Sequence, residues 1–489
     1  MTSTTAAATA DTHRGANRLI LGIVLAVITF WLFAQTTLNV APTMREELRI
    51  SESLNNIAVS ITALFSGIFI VVAGGLADRL GRLKITYFGL SLSVLGSLLI
   101  AISPTGTATF LMTGRVIQGL SAACIMPATL ALIKDYFEGR ERQRAISYWS
   151  IGSWGGSGVS ALFGGLVASA LGWRWIFWMS ILVAVISFVL LRGAPESKVA
   201  APQKQRFDWS GFTSFIIAMV AVNIVIGQGS ALGWLHPVVI ALAVVFIVAA
   251  LVFFRVESSK ADGFVDLRLF NNKTYTGATL SNFLLNGAAG TLLVSLSLVQ
   301  QAAGLSSLQS GLLTIGYLVA ILSTIRVGEK LLQRMGARKP MLIGCAITAT
   351  GILLTTFTFL LARQYIIVAF VGFTLFGVGL GFYATPSTDA ALSNVPNEKA
   401  GAASGIYKMA SSLGAAFGVA ISAALFTALS GLSTSFASLS DLFLGRTDNV
   451  GIRFAAAVAL LFNVIMVIVA IIAIAATVPK DDPRVRVSV

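Results

Sequence analysis

Apolar stretches of about twenty residues recur along the whole chain, separated by short polar segments that hold nearly all of the charge. A helix rises about 1.5 Å per residue, so about twenty apolar residues match a hydrocarbon layer roughly 30 Å thick. The pattern predicts fourteen spans, at 19–41, 54–77, 85–103, 108–136, 144–170, 173–191, 209–229, 236–254, 275–300, 309–330, 340–361, 365–390, 403–430 and 452–478. No strand-length alternation competes with it, which argues against a β-barrel. The chain reads as an all-α polytopic membrane protein.

Composition agrees. The 489 residues are 56% hydrophobic and 11% charged, against about 25% charged in soluble domains. The net charge of +14 would point to nucleic acid in a soluble protein. Here the charges sit between apolar spans and act as topology signals, so no nucleic-acid partner is expected. With the N-terminus inside, 27 Lys and Arg fall on that side and 6 outside, and Arg115, within a span, completes the 34. Such a bias puts both termini on the cytoplasmic side of a cell membrane. The tails, 1–18 and 479–489, are expected to be cytoplasmic, the first of them disordered. The apolar run after Arg18 is too long for a signal peptide. Cys124, Cys345, His13 and His236 are scattered, so neither a disulfide nor a metal cofactor is expected. No nucleophile, base and acid converge within the spans, which argues against an enzyme. Nothing demands more than a monomer.

The chain repeats itself weakly. Arg79 and Gly81 of 78-DRLGRLK-84 match Arg334 and Gly336 of 333-QRMGARK-339, 127-PAT-129 matches 386-PST-388, and Glu141-Arg142 matches Glu398-Lys399, at offsets of 255, 259 and 257. The repeat maps spans one to six (19–192) onto spans nine to fourteen (275–478). Two spans and their cytoplasmic linkers (193–274) are left over as an insert. Two six-helix halves with a site near the bilayer midplane form a transporter plan.

Segments 74-GGLADRLGRLK-84 and 115-RVIQGLSAA-123 resemble the cytoplasmic-loop and fourth-helix signatures of the major facilitator superfamily. Fourteen spans with two inserted resemble its 14-helix drug:proton antiporter branch. Longer runs, among them 119-GLSAACIMPATLALIK-134, 142-RQRAISYWSIGSWGGSGV-159 and 381-GFYATPSTDAALSNVP-396, resemble the NorB-type quinolone efflux proteins over nearly the whole chain. The resemblance implies export of quinolones and other amphipathic drugs or antiseptics, driven by the proton gradient and needing no other cofactor. An uncoupled facilitator or proton symporter of a small metabolite is the alternative.

Within this frame Gly74, Asp78, Arg79, Gly81 and Arg82 form a cytoplasmic gate loop, in which Asp78 can accept from Arg82 or from a helix N-terminus. Gly152, Gly156, Ser160 and Gly164, spaced by four and joined by Gly165, form a small-residue stripe for close packing between the halves. The family's Gly-Pro is replaced here by Ser160-Ala161, and its first-span Asp by Ala34. Asp389 and Glu329 are the acids within spans, so with Arg115 they are the candidates for proton coupling, although Asp389 can equally pair with Lys408 in a gate. Arg115 needs a partner: either Gln35, Gln118 and backbone carbonyls, or the carboxylate of a substrate. Phe33, Gln35, Phe65, Arg115, Gln118, Asn282, Asn286, Tyr317, Phe382 and Tyr383 are the candidate cavity residues. Asn282 and Asn286 are four apart, on one helix face.

Overall fold

A computed structural model describes residues 17–197, 208–260, 267–305, 311–430, 442–445 and 448–480, and among these no strand occurs. The expectations for residues 1–16, for most of the linker that follows span six and for 481–489 lie outside the described residues. The helices are α1 (17–48), α2 (Glu52–Leu80), α3 (Arg82–Ala101), α4 (Thr109–Tyr136), α5 (139–170), α6 (Arg174–Leu191) and α7 (Trp209–Leu232). They continue with α8 (Pro237–Ser259), α9 (Lys273–Ala303), α10 (Ile315–Met335), α11 (Arg338–Thr355), α12 (Ala362–Ser393), α13 (Ala400–Ser430) and α14 (Val450–Thr477). Eleven helical stretches among the described residues are long and apolar enough to cross a membrane. The expected spans at 144–170, 309–330 and 340–361 are less regular or less apolar: α5 is broken by a π-helical segment at Ile151–Gly155, α10 carries Arg326, Glu329, Lys330 and Arg334, and α11 opens on Arg338-Lys339.

Two compact units emerge from the packing. One comprises Met1–Asp208 with Val395–Lys408, the other Trp209–Asn394 with Met409–Val489. The repeated residues do the same local work in each. Gly81 ends α2 at φ 119° and Gly336 ends α10 at φ 75°, angles that glycine adopts without strain. Pro127 and Pro386 lie inside α4 and α12, and Thr129 and Thr388, two residues later, each donate to the carbonyl one turn back. Glycines also bring backbones together at matching crossings. A Cβ added to Gly114 of α4 would lie 2.7 Å from the Gly96 oxygen of α3, and one on Gly372 of α12 would lie 2.6 Å from the Gly351 oxygen of α11. Lipid offers helices no hydrophobic reason to associate, so such close backbone contact carries the packing.

The small-residue stripe of α5 finds its partner within its own unit, which corrects the expectation of a seam between halves. Gly152 meets Val24, Gly156 meets Trp31 and Leu32, Gly164 meets Thr36, and the Ser160 carbonyl accepts from Thr36 Oγ1 at 3.2 Å. All four neighbours belong to α1, which has its own π-helical segment at Thr29–Ala34. Gly165 faces open space. The missing Gly-Pro therefore leaves α5 interrupted, but by a π segment placed earlier. α7 and α8, the two extra helices, group with the second unit and pack on each other through Phe215 and Phe253. Most of the α8 surface is exposed valine, isoleucine and leucine, as suits a helix bathed in lipid.

Gly164→Val is expected to cost about 1–3 kcal/mol of stability through overpacking against Thr36. Gly165→Val should be nearly neutral. Thermal denaturation of the two purified variants checks the contrast.

Candidate functional site

Three polar constructions stand out, each inside one unit. The first is built on the turn between α2 and α3. Asp78, 5% exposed, accepts from Arg82 Nε at 3.1 Å, from the Gly401 amide at 2.9 Å and from the Ala402 amide at 3.0 Å. The last two are free N–H groups at the start of α13, where the helix dipole favours an anion. Gly74 permits the approach, because a Cβ there would lie 2.3 Å from the Gly401 oxygen. Arg82, also buried, pairs with Asp78 and Asp135 and donates to the Asn397 carbonyl and to Ser197 Oγ. Arg79 points to the exposed side.

Glu196 completes this turn and was not singled out in the sequence. Its oxygens accept from the Leu83 and Lys84 amides at 2.9 and 3.1 Å, capping the N-terminus of α3. Gly81 makes room, since a Cβ there would lie 2.6 Å from the Glu196 carboxyl carbon. The available signal was a lone acid in the otherwise basic segment 192-RGAPESK-198.

The second construction surrounds Arg115, 3% exposed on α4. Nε donates to the Ala58 carbonyl at 2.8 Å and one amino group to the Val59 carbonyl at 3.2 Å. The other amino group meets the Ala34 carbonyl at 2.8 Å, Thr37 Oγ1 at 3.0 Å and Gln118 Oε1 at 2.9 Å. Gln118 passes the chain on to Ser97, and Ser97 to Ser180. Thr37 rather than Gln35 is the α1 side chain used, because 34 and 37 are three apart on one helix face and 35 is turned away by about 100°.

The third lies in the second unit, where α9 bends at Ala288–Ala289. Asn282 Nδ2 donates to Ser411 Oγ at 2.7 Å, and Asn286 Nδ2 to Asn282 Oδ1 at 2.9 Å. The predicted amide pair therefore comes together, with Ser411 of α13 as an unforeseen member.

The remaining candidates are dispersed. Phe33 is buried in the core with Val40, Met44 and Trp173 and meets Phe163 edge-on. Tyr383 is 1% exposed, its hydroxyl bonded with Ser281 and Ser387. Both pack helices rather than line a cavity, a correction that follows from the ease with which lipid-embedded helices bury aromatic rings. Phe65 stacks on Phe69 and Tyr317 on the buried Phe376; Phe65, Phe69, Tyr317 and Phe382 are partly buried. Asp389 is buried and accepts from Ser393 Oγ at 3.1 Å. Glu329 is held by Arg326 and Gln333 on its own helix. The Lys408 ammonium lies 4.2 Å from the Trp149 ring centre, a cation–π contact. No cluster of His, Cys, Asp and Glu among the described residues could hold a metal.

Comparison with known sequences decides the family. The pattern of the Major Facilitator Superfamily matches residues 19–419 and again 278–487. The chain belongs to this superfamily. It is a transporter rather than an enzyme. The Quinolone resistance protein NorB of Staphylococcus aureus strain MRSA252 is 53% identical over 423 residues, covering 86% of this chain and 91% of the relative. That of strain COL is 50% identical over 472 residues, covering 96% and 98%. Among solved structures, the proton:xylose symporter XylE shares the fold at a TM-score of 0.65 and 15% identity, over 96% of each chain. The human organic anion transporter MFSD10 does so at 0.57 and 15%, over 94% of this chain and 99% of its own.

Asp78→Asn removes a charge-assisted acceptor from the Arg82 cluster and from the start of α13. It should destabilise the protein by about 1.5–3 kcal/mol. Glu196→Gln, at an exposed cap, should cost about 1 kcal/mol or less. Thermal denaturation of the two variants ranks them.

Proposed function

We propose that this chain exports quinolones and other amphipathic drugs across the bacterial cell membrane by alternating access, driven by the proton gradient. The observation that carries the reading is 50–53% identity over 86–96% of this chain to proteins named for quinolone resistance. The reading includes fourteen spans, two six-helix halves at 19–192 and 275–478, an insert at 193–274, both termini in the cytoplasm and action as a monomer. The positive-inside count and the matched turns, prolines and glycine crossings support it.

In this reading the turn at 74–82 is the cytoplasmic gate loop. Its bonds to residues 397–402 are the ones a conformational cycle breaks and remakes. Asn282, Asn286 and Ser411 give the second unit adaptable amide and hydroxyl groups for drugs, with Tyr317 and Phe382 as aromatic surface; in the first unit Phe65 is the aromatic candidate. Gln35 is the first unit's polar candidate, since the Gln118 amide is taken by Arg115 and Ser97. Asp389 is the leading proton carrier, with Glu329 and Arg115 as the other candidates. The carbonyl cage favours a fixed structural role for Arg115 over recognition of a substrate carboxylate.

One observation keeps the facilitator reading in view: the resemblance to the 14-helix branch implies an acid in the first span, where this chain has Ala34, whose carbonyl accepts from Arg115. Proteoliposomes with an imposed pH gradient and a fluorescent quinolone separate the two. Drug should accumulate against its gradient, and an ionophore that collapses the pH difference should abolish this. Downhill flux indifferent to the ionophore would establish the facilitator instead. Arg115→Gln should lower transport of anionic and cationic drugs by the same factor. A loss confined to carboxylate-bearing drugs would restore the substrate-recognition role.

A further inference from the structure

A pocket of about 350 Å³ opens in the first unit where α1 begins and α4 and α6 end, lined by Arg18, Leu19, Tyr136, Leu190, Arg192 and Pro195 among others. None of the functional constructions described above uses it. Its walls are fixed. Arg18 donates from one amino nitrogen to the Val189 and Arg192 carbonyls at 2.9 and 3.3 Å, which ties its guanidinium to the last turn of α6. Ser187 Oγ donates to the Gly22 carbonyl at 2.7 Å and holds α6 against α1. The Tyr136 hydroxyl donates to the Pro195 carbonyl and holds the turn after α6 beside the end of α4. The Arg192 side chain is exposed and makes no hydrogen bond or ion pair among the described residues.

Apolar surface adjoins the pocket on the same two helices: Leu21 of α1 is 51% exposed, and Val185 and Val189 of α6 are 47% and 54% exposed. Two guanidinium groups in a concavity, with bare aliphatic side chains within a turn or two of it, match one amphipathic anion. Arginine recognises phosphate through paired charge-assisted hydrogen bonds, and basic pockets between helix ends on the cytoplasmic side suit anionic headgroups. Arginines serving topology alone need only lie outside the bilayer. They need neither a shared pocket nor a guanidinium bonded into place.

The geometry points to a binding site for an anionic phospholipid of the cytoplasmic leaflet, its phosphate between Arg18 and Arg192 and its acyl chains along Leu21, Val185 and Val189. The site rests on the proposed orientation of the N-terminus and is independent of which drugs are carried.

The test is native mass spectrometry of the full chain in detergent, titrated with phosphatidylglycerol and, separately, phosphatidylcholine. At about 1 kcal/mol for each basic residue near a membrane surface, the Arg18→Gln/Arg192→Gln variant should hold phosphatidylglycerol about thirtyfold more weakly. Phosphatidylcholine binding should be unchanged. Arg140→Gln/Arg334→Gln removes the same charge elsewhere and should stay within twofold of wild type. Equal losses in both double variants would show only a diffuse basic face and overturn the site, as would no loss in either. Protection of the wild type by inorganic phosphate as strong as that by phosphatidylglycerol, read by thermal denaturation, would overturn the lipid assignment. Should the double variant not fold, Arg192→Gln alone, at a side chain without structural bonds, should still weaken phosphatidylglycerol about fivefold, and no change there would also refute the site.

Discussion

In a layer without water, a charge must be answered by the protein itself, and in this chain the answer comes largely from the backbone. The Arg115 guanidinium rests on the Ala34, Ala58 and Val59 carbonyls. Arg453 takes the Thr358 and Leu360 carbonyls at 2.7 and 2.8 Å, and Arg338 the Ala475 and Val478 carbonyls at 2.7 and 3.1 Å. Asp78 is the mirror case, an anion on amide groups at a helix start. Helix ends leave four N–H or C=O groups unsatisfied, with dipoles of the matching sign. Where the partner is such an end group, as for Asp78 on the Gly401 and Ala402 amides, the pairing removes two problems together, a buried charge and an orphaned backbone group; Arg115 instead shares carbonyls from within α1 and α2.

The same economy explains where the polar constructions lie. The Arg115 cage takes Ala34, the last residue of the π-helical segment of α1, and the Asn282–Asn286–Ser411 cluster lies at the bend of α9. Regular helix keeps its backbone to itself, and only where it is interrupted, or where a second lone pair stays accessible, can a side chain reach it. Glycine then sets how near two helices come. A Cβ on Gly418 of α13 would lie 1.8 Å from the Gly287 oxygen of α9, beside the amide cluster. The polar constructions of this transporter are thus carried on irregular but tightly packed supports.

The helices, the repeat and the loop signature were legible in the sequence because each rests on a local rule. Apolar length sets a span, Gly81 and Gly336 stop a helix, and Pro127 and Pro386 interrupt one. Asn282 and Asn286 were legible as a pair for the same reason, since helical periodicity alone places residues four apart on one face. Phe33 and Tyr383 were misplaced because residue type cannot say whether an aromatic ring faces a cavity or a neighbouring helix.

The partners were a different matter. The sequence offered Gln118 and backbone carbonyls as partners for Arg115 but not which carbonyls, because carbonyl groups belong to every residue and carry no sequence signal. The stripe at 152–164 announced close packing but not its partner, which proved to be α1. Glu196 looked like one more loop residue until the fold brought it under the first turn of α3. By itself the sequence determined which segments form long apolar helices, where helices stop and which faces pack closely, since these depend on periodicity and chain-local sterics. Only the tertiary structure decided which helix each glycine face meets and which carbonyl or amide each charge finds, because those pairings join residues far apart in the chain through atoms common to all of them.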